Sequence, residues 1–184
     1  MKFSLALAIP LLGILADPVA RADAPKGPSP EVPELQPLNE WVGMWDTQMK
    51  VMPNADLPNG GSAKGVASAE WIHDGRFLRQ TWSMKSAQGV PLMTGSTVMT
   101  YDPRKKVYRS WSFYSSGFVG EGQGVWDSTT RTMTWTSHDA EDGRTMITKA
   151  SFTTPGTENW RIVEQDRGGR VIAETTGKNI RRKE

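Results

Sequence analysis

Two histidines, one patterned arginine and one run of carboxylates are the residues here whose types could do chemistry. His73 lies in Ile72-His73-Asp74-Gly75 and His138 in Ser137-His138-Asp139. Neither belongs to a His-x-x-x-His pair, and the chain has neither a serine elbow nor a cysteine, so the spacings of a zinc centre or a nucleophilic triad are missing. The stretch His138-Asp139-Ala140-Glu141-Asp142 gathers carboxylates that could attract a cation, a composition that equally suits a solvated turn. Glu70 and Glu121 fall on separate segments with no spacing that builds a joint acid–base site. The reading predicts no catalytic residue and no metal site.

A binding surface is better marked. Gly120, Gly122 and Gly124 alternate along one segment, and glycine weakens a strand, so a stripe of three needs a reason. With a two-residue turn at Ser116-Gly117, Phe113 lies opposite Gly120 and Trp111 opposite Gly122. With a four-residue loop from Asp127 to Thr130, Trp135 flanks Gly122 and Met133 flanks Gly124. The rings either fold over the bare backbone and fill the interior, or border a cavity that the missing side chains leave open. Arg109 shares the face of Trp111 and Phe113 and is expected to point inward, where it needs an acidic partner such as Glu164 or an anionic head group. Eight methionines in the mature chain and eight tryptophans give the interior an adaptable, aromatic character, with Met49, Met99, Met133 and Met146 expected near the cavity.

The elements that must position these residues follow from period and punctuation. Lys2 precedes an apolar run from Phe3 to Ala16 that is too short to span a bilayer, which reads as a signal peptide over 1–22, with small residues at Ala20 and Ala22 or at Ala22 and Ala24 for cleavage. Export to a periplasm or the extracellular space is the expectation, and without cysteine the domain must be stabilised by its core alone. Residues 23–33 form a Pro-rich lead expected to be disordered. The domain spans 34–184. Leu35, Leu38, Trp41 and Val42 predict a short amphipathic helix over 34–42 that plugs one end. From Gly43 the period becomes two, and turn signals such as Asp74-Gly75, Asp102-Pro103, Asp142-Gly143 and Pro155-Gly156 separate about ten strands. An antiparallel meander of this length closes into an up-and-down barrel, with a sandwich as the competing fold. The net charge of +2 and the small basic tail Arg181-Arg182-Lys183 give no case for nucleic acid. No segment is long enough for a membrane span, and the pattern sets no oligomeric state.

Gly43-x-Trp45-Asp46, Gly75-Arg76-Phe77-Leu78, Gly95 leading to Tyr101-Asp102, Trp111 and the basic end together resemble a bacterial family of lipocalin-like domains of unknown function within the calycin group. The resemblance covers the chain from about Pro33 to Lys183. It implies a barrel in which Trp45 is covered by an arginine of the last strand, Arg181 or Arg182, in a structural closure with Gly43. Some lipocalin-like barrels hold haem through one histidine, for which His138 is the better candidate here. The reading that emerges is an exported all-β barrel with one short N-terminal helix, binding a small hydrophobic or amphipathic ligand at Arg109, Trp111, Phe113, Gly120, Gly122, Gly124, Met133 and Trp135. An interaction module with a filled barrel and an enzyme using the cavity stand as alternatives.

Overall fold

The computed structural model describes residues 27–139 and 142–183. The signal-type segment 1–22 and the start of the lead lie outside them. Ten strands follow in chain order: β1 (Gly43–Val51), β2 (Gly61–Ile72), β3 (Phe77–Ser86), β4 (Pro91–Asp102), β5 (Val107–Tyr114), β6 (Val119–Asp127), β7 (Thr132–His138), β8 (Thr145–Thr154), β9 (Thr157–Gln165) and β10 (Val171–Arg181). Each pairs antiparallel with its sequence neighbours, and β1 pairs with β10, so the sheet closes into a barrel without an edge. The up-and-down barrel expected from the turn punctuation is the fold, and the sandwich is excluded.

The plug differs from an α-helix for a reason visible in its spacing. Val32, Leu35, Leu38 and Trp41 recur every three residues, which is the 3-10 period, and Pro37 inside the segment removes an amide that an α-helix would use. Pro33–Trp41 is accordingly a 3-10 helix, with Leu35, Leu38 and Trp41 buried. A short helix has unsatisfied carbonyls, and side chains of four strands satisfy them or bind beside them. Trp45 Nε1 donates to the Trp41 carbonyl at 2.7 Å, Arg181 to the Glu40 carbonyl at 2.7 Å, Tyr108 to the Glu34 carbonyl at 2.6 Å, and Trp71 Nε1 to Asn39 Oδ1 at 2.8 Å. The described part of the lead is also docked rather than free. Ser29 is buried, and its amide donates to the Gly75 carbonyl at 2.9 Å.

Around the plug the barrel is solid, filled by Trp45, Trp71, Leu78, Met133 and Phe152. The guanidinium of Arg181 lies 4.6 Å from the Trp45 ring centroid, and Gly43 enters the first strand beside the arginine stem at φ 111°, a conformation that favours glycine. Arg182 turns outward to Asp46, at 2.6 Å. Of the two arginines, Arg181 is therefore the one that covers Trp45.

Candidate functional site

Inward positions are odd in β1, β2, β4, β7 and β10 and even in β3, β5, β6, β8 and β9, as the cross-strand registers require. Above the plug they enclose a cavity of about 270 Å³. It runs from Trp41 at the floor, past Trp82, Trp135 and Trp160, to Met93 and Tyr114 towards the opposite rim. Met49, Met84, Met99 and Met146 share its wall with hydroxyl side chains such as Ser110, Ser112 and Ser137. At that rim, Val90, Leu92, Phe118 and Val119 on neighbouring hairpins are at least half exposed.

The aromatic wall follows a rule. Each of the three strand tryptophans that line the cavity stands directly opposite a glycine of the adjacent strand: Trp82 opposite Gly95, Trp135 opposite Gly124 and Trp160 opposite Gly177. The rings lie over the bare backbone, because a Cβ there would come within 2.2 Å of Trp82, 2.6 Å of Trp135 and 2.0 Å of Trp160. Glycine thus lets a large ring lie flat against the wall instead of crossing the lumen. Gly177→Ala would also bring its Cβ to 2.7 Å from the Gln48 carbonyl oxygen, which cannot swing aside. We expect this substitution to destabilise the protein by about 1–3 kcal/mol, the usual cost of overpacking. Thermal unfolding checks this, and an unchanged midpoint would mean that both the Trp160 ring and the β1 backbone at Gln48 yield to the added methyl group.

The expected site residues divide between the two faces of the sheet. Gly120, Gly122 and Gly124 do face inward, with Gly122 and Gly124 buried. Met133 is fully buried in the solid floor, and Trp135 lines the cavity. Arg109, Trp111 and Phe113 instead lie on the outer surface, and their expected inward placement is corrected. The reason is one residue in a turn. The Tyr114 amide donates to the Phe118 carbonyl at 3.0 Å across a three-residue loop in which Gly117 adopts φ 87°. The register therefore places Ser112, not Phe113, opposite Gly120, and Ser110, not Trp111, opposite Gly122. Shifting a strand by one residue exchanges its faces. Arg109 finds its anions outside, bonded to Glu121 and 3.8 Å from Asp102, with its guanidinium 5.2 Å from the Trp111 ring centroid. Glu164 pairs with Arg144 instead, at 2.8 Å.

Neither histidine serves the interior. His138 is exposed on the outward face at the end of β7, where its Nδ1 lies 3.0 Å from Thr145 Oγ1, and His73 sits in the β2–β3 hairpin. The haem alternative through His138 consequently lacks an axial ligand in the cavity. Among the described residues no cluster of three metal-ligating side chains occurs.

Sequence reasoning overlooked Glu158. It is the second residue of β9, is only 4% exposed and lines the cavity floor. Trp41 Nε1 donates to its Oε1 at 3.0 Å, and Asn179 Nδ2 donates to its Oε2 at 2.5 Å. Trp160 Nε1 donates in turn to Asn179 Oδ1 at 3.3 Å, which orients the amide. Burial pushes the Glu158 carboxyl up to about 7, against the opposing effect of its two donors. Its alternation with Trp160 and Ile162 along β9 is legible in the sequence, but its neighbours Asn179 and Trp41 are distant in the chain.

An antiparallel barrel plugged at one end by an N-terminal helix, sealed by a Gly-x-Trp tryptophan under an arginine and hollow above, is a lipocalin-like protein. This chain belongs to the DUF1579 family, proteins of unknown function, whose sequence pattern matches residues 31–168. In fold it is similar to Rv2717c from M. tuberculosis, with a TM-score of 0.64 at 14% identity over 82% of this chain and 98% of that one. It is also similar to the S-type phycobiliprotein lyase CPES from Guillardia theta, with a TM-score of 0.54 at 13% identity over 79% of this chain and 90% of that one. No curated protein matches the chain in sequence.

Proposed function

We propose that this protein is an exported carrier of a small apolar or amphipathic molecule, which it holds in the barrel cavity against the methionine and tryptophan wall. The observation that carries the reading is the hollow itself: glycine and serine occupy inward positions of β5 and β6 where larger residues would fill the lumen, leaving about 270 Å³ lined mainly by apolar groups. The apolar rim at the end away from the plug suits the passage of such a cargo. Export is supported by the signal-type residues 1–22. The binding residues in this reading are Trp82, Trp135, Trp160 and the cavity methionines, with the stripe of Gly120, Gly122 and Gly124 providing space.

Native mass spectrometry of the protein purified from its own host tests this. A discrete non-covalent adduct is expected, and it should be lost in Thr97→Trp, which places an indole in the middle of the lumen. An adduct that survives this substitution would lie outside the cavity and refute the carrier reading.

A further inference from the structure

The cavity contains one side chain that is out of keeping with an apolar carrier. Among the described residues that line it, Glu158 is the only carboxyl, and no lysine, arginine or histidine is among them. Tyr114, the other titratable residue on the wall, is held neutral because burial raises its phenol above the ordinary range. Each Glu158 oxygen already accepts one hydrogen bond, from Trp41 and from Asn179, so the carboxyl is aimed and cannot swing away. The charged groups on the elements packed against it are committed elsewhere. In the 3-10 helix, Glu34 is exposed and Glu40 pairs with Arg131 at 2.5 Å. On β10, Arg181 is engaged by the Trp45 ring and the Glu40 carbonyl. The inward positions of β1 (Trp45, Thr47, Met49) and of β8 (Met146, Thr148, Ala150, Phe152) carry no charge.

We propose that the cavity selects a ligand with a basic nitrogen, an apolar amine or related organic cation, whose ammonium group bonds to Glu158 while its apolar body lies against the indoles. This rests on the carrier reading and specifies its cargo. Two features of the wall converge on the same chemistry. A buried carboxylate lacking a cation stabilises an ammonium through a charge-assisted hydrogen bond. Four indoles, Trp41, Trp82, Trp135 and Trp160, line the same hollow, and indole is the side chain that best accommodates an organic cation. An anionic head group such as that of a fatty acid meets like charge and no basic residue. A neutral alcohol gains only an ordinary hydrogen bond. The inward-facing acid thus reverses the polarity expected when Arg109 was assigned to the lumen.

The test compares three probes with one body: 1-naphthylmethylamine, 1-naphthalenemethanol and 1-naphthoate, titrated against tryptophan fluorescence at pH 8 with the full mature chain. The amine should bind about tenfold or more tightly than the alcohol, and the naphthoate most weakly, as expected for a desolvated charge-assisted bond. That advantage should shrink when the pH is lowered to 6, because Glu158 takes up a proton while the ammonium stays charged, and it should vanish in Glu158→Gln. The pH series needs no variant, so a misfolded Glu158→Gln would not rescue or sink the result. Equal binding of amine and alcohol, or preference for naphthoate, overturns the choice of a basic ligand and leaves the carrier standing. Binding of none of the three overturns both.

Discussion

Trp45→Ala is expected to remove about 4–5 kcal/mol of stability, as measured by urea unfolding. Emptying a fully buried tryptophan site in a close-packed core costs about 3–5 kcal/mol. Trp45 is 1% exposed, and its loss also deprives the Trp41 carbonyl of its indole donor and the Arg181 guanidinium of its ring. Natural domains have about 5–15 kcal/mol in total, so the variant would stand close to unfolding. Arg181→Met separates the contributions. It keeps an aliphatic stem over the ring but loses the cation–π contact and the bond to the Glu40 carbonyl, a loss of about 1–2 kcal/mol. If Trp45→Ala costs less than about 2 kcal/mol, the plug and the barrel floor are not one cooperative unit.

Glu158 should make the protein less stable as the pH rises. An acid whose pKa is higher in the folded chain than in the unfolded one binds its proton more tightly when folded. Its favourable contribution is complete below the ordinary value of 4.5 and is lost as the pH climbs to about 7. A displacement of that size corresponds to about 3 kcal/mol. Urea unfolding of the ligand-free protein at pH 5 and at pH 8 should therefore show a drop of that order relative to Glu158→Gln, in which the amide stands in for the protonated acid and cannot ionise. Parallel pH profiles for the two proteins would show that the carboxyl is solvated or paired in a way that this structure does not contain.

The strands were legible because their ends are chemically explicit. Gly75, Gly89, Gly117, Gly143, Gly156 and Gly169 all adopt positive φ at hairpin turns, and the alternation between them leaves few choices for each strand. The faces were harder. A turn of three residues instead of two after Tyr114 is a difference of one residue that the local sequence Ser115-Ser116-Gly117 allows either way, yet it decides whether Trp111 or Ser110 looks into the lumen. Counting aromatic residues favoured the wrong face, since a hollow barrel places small hydroxyls inside and can leave a ring such as Phe113 outside, 45% exposed. The β6–β7 loop was misplaced as well, but by an even step, so Trp135 kept its inward face while its partner became Gly124 rather than Gly122. Glu158 could not be singled out at all. Its role depends on Asn179, set by the register of the β9–β10 hairpin, and on Trp41 from the plug, which only closure of the barrel brings beside β9.

The seam between β1 and β10 also governs how the chain reaches this structure. Trp45 is paired with Arg181, so the closing ladder joins residues separated by nearly the entire domain and is expected to form last. Closing so long a loop carries an entropic cost that only the finished ladder offsets, so this one non-local pairing, rather than the nine hairpin ladders, is expected to be the slow step. Until β10 arrives, β1 and β9 each present a row of unpaired amides and carbonyls, the template on which strands of another molecule add. A nascent or clipped chain lacking residues beyond Gln165 is thus expected to self-associate, with the terminal strand as the protein's own guard against it.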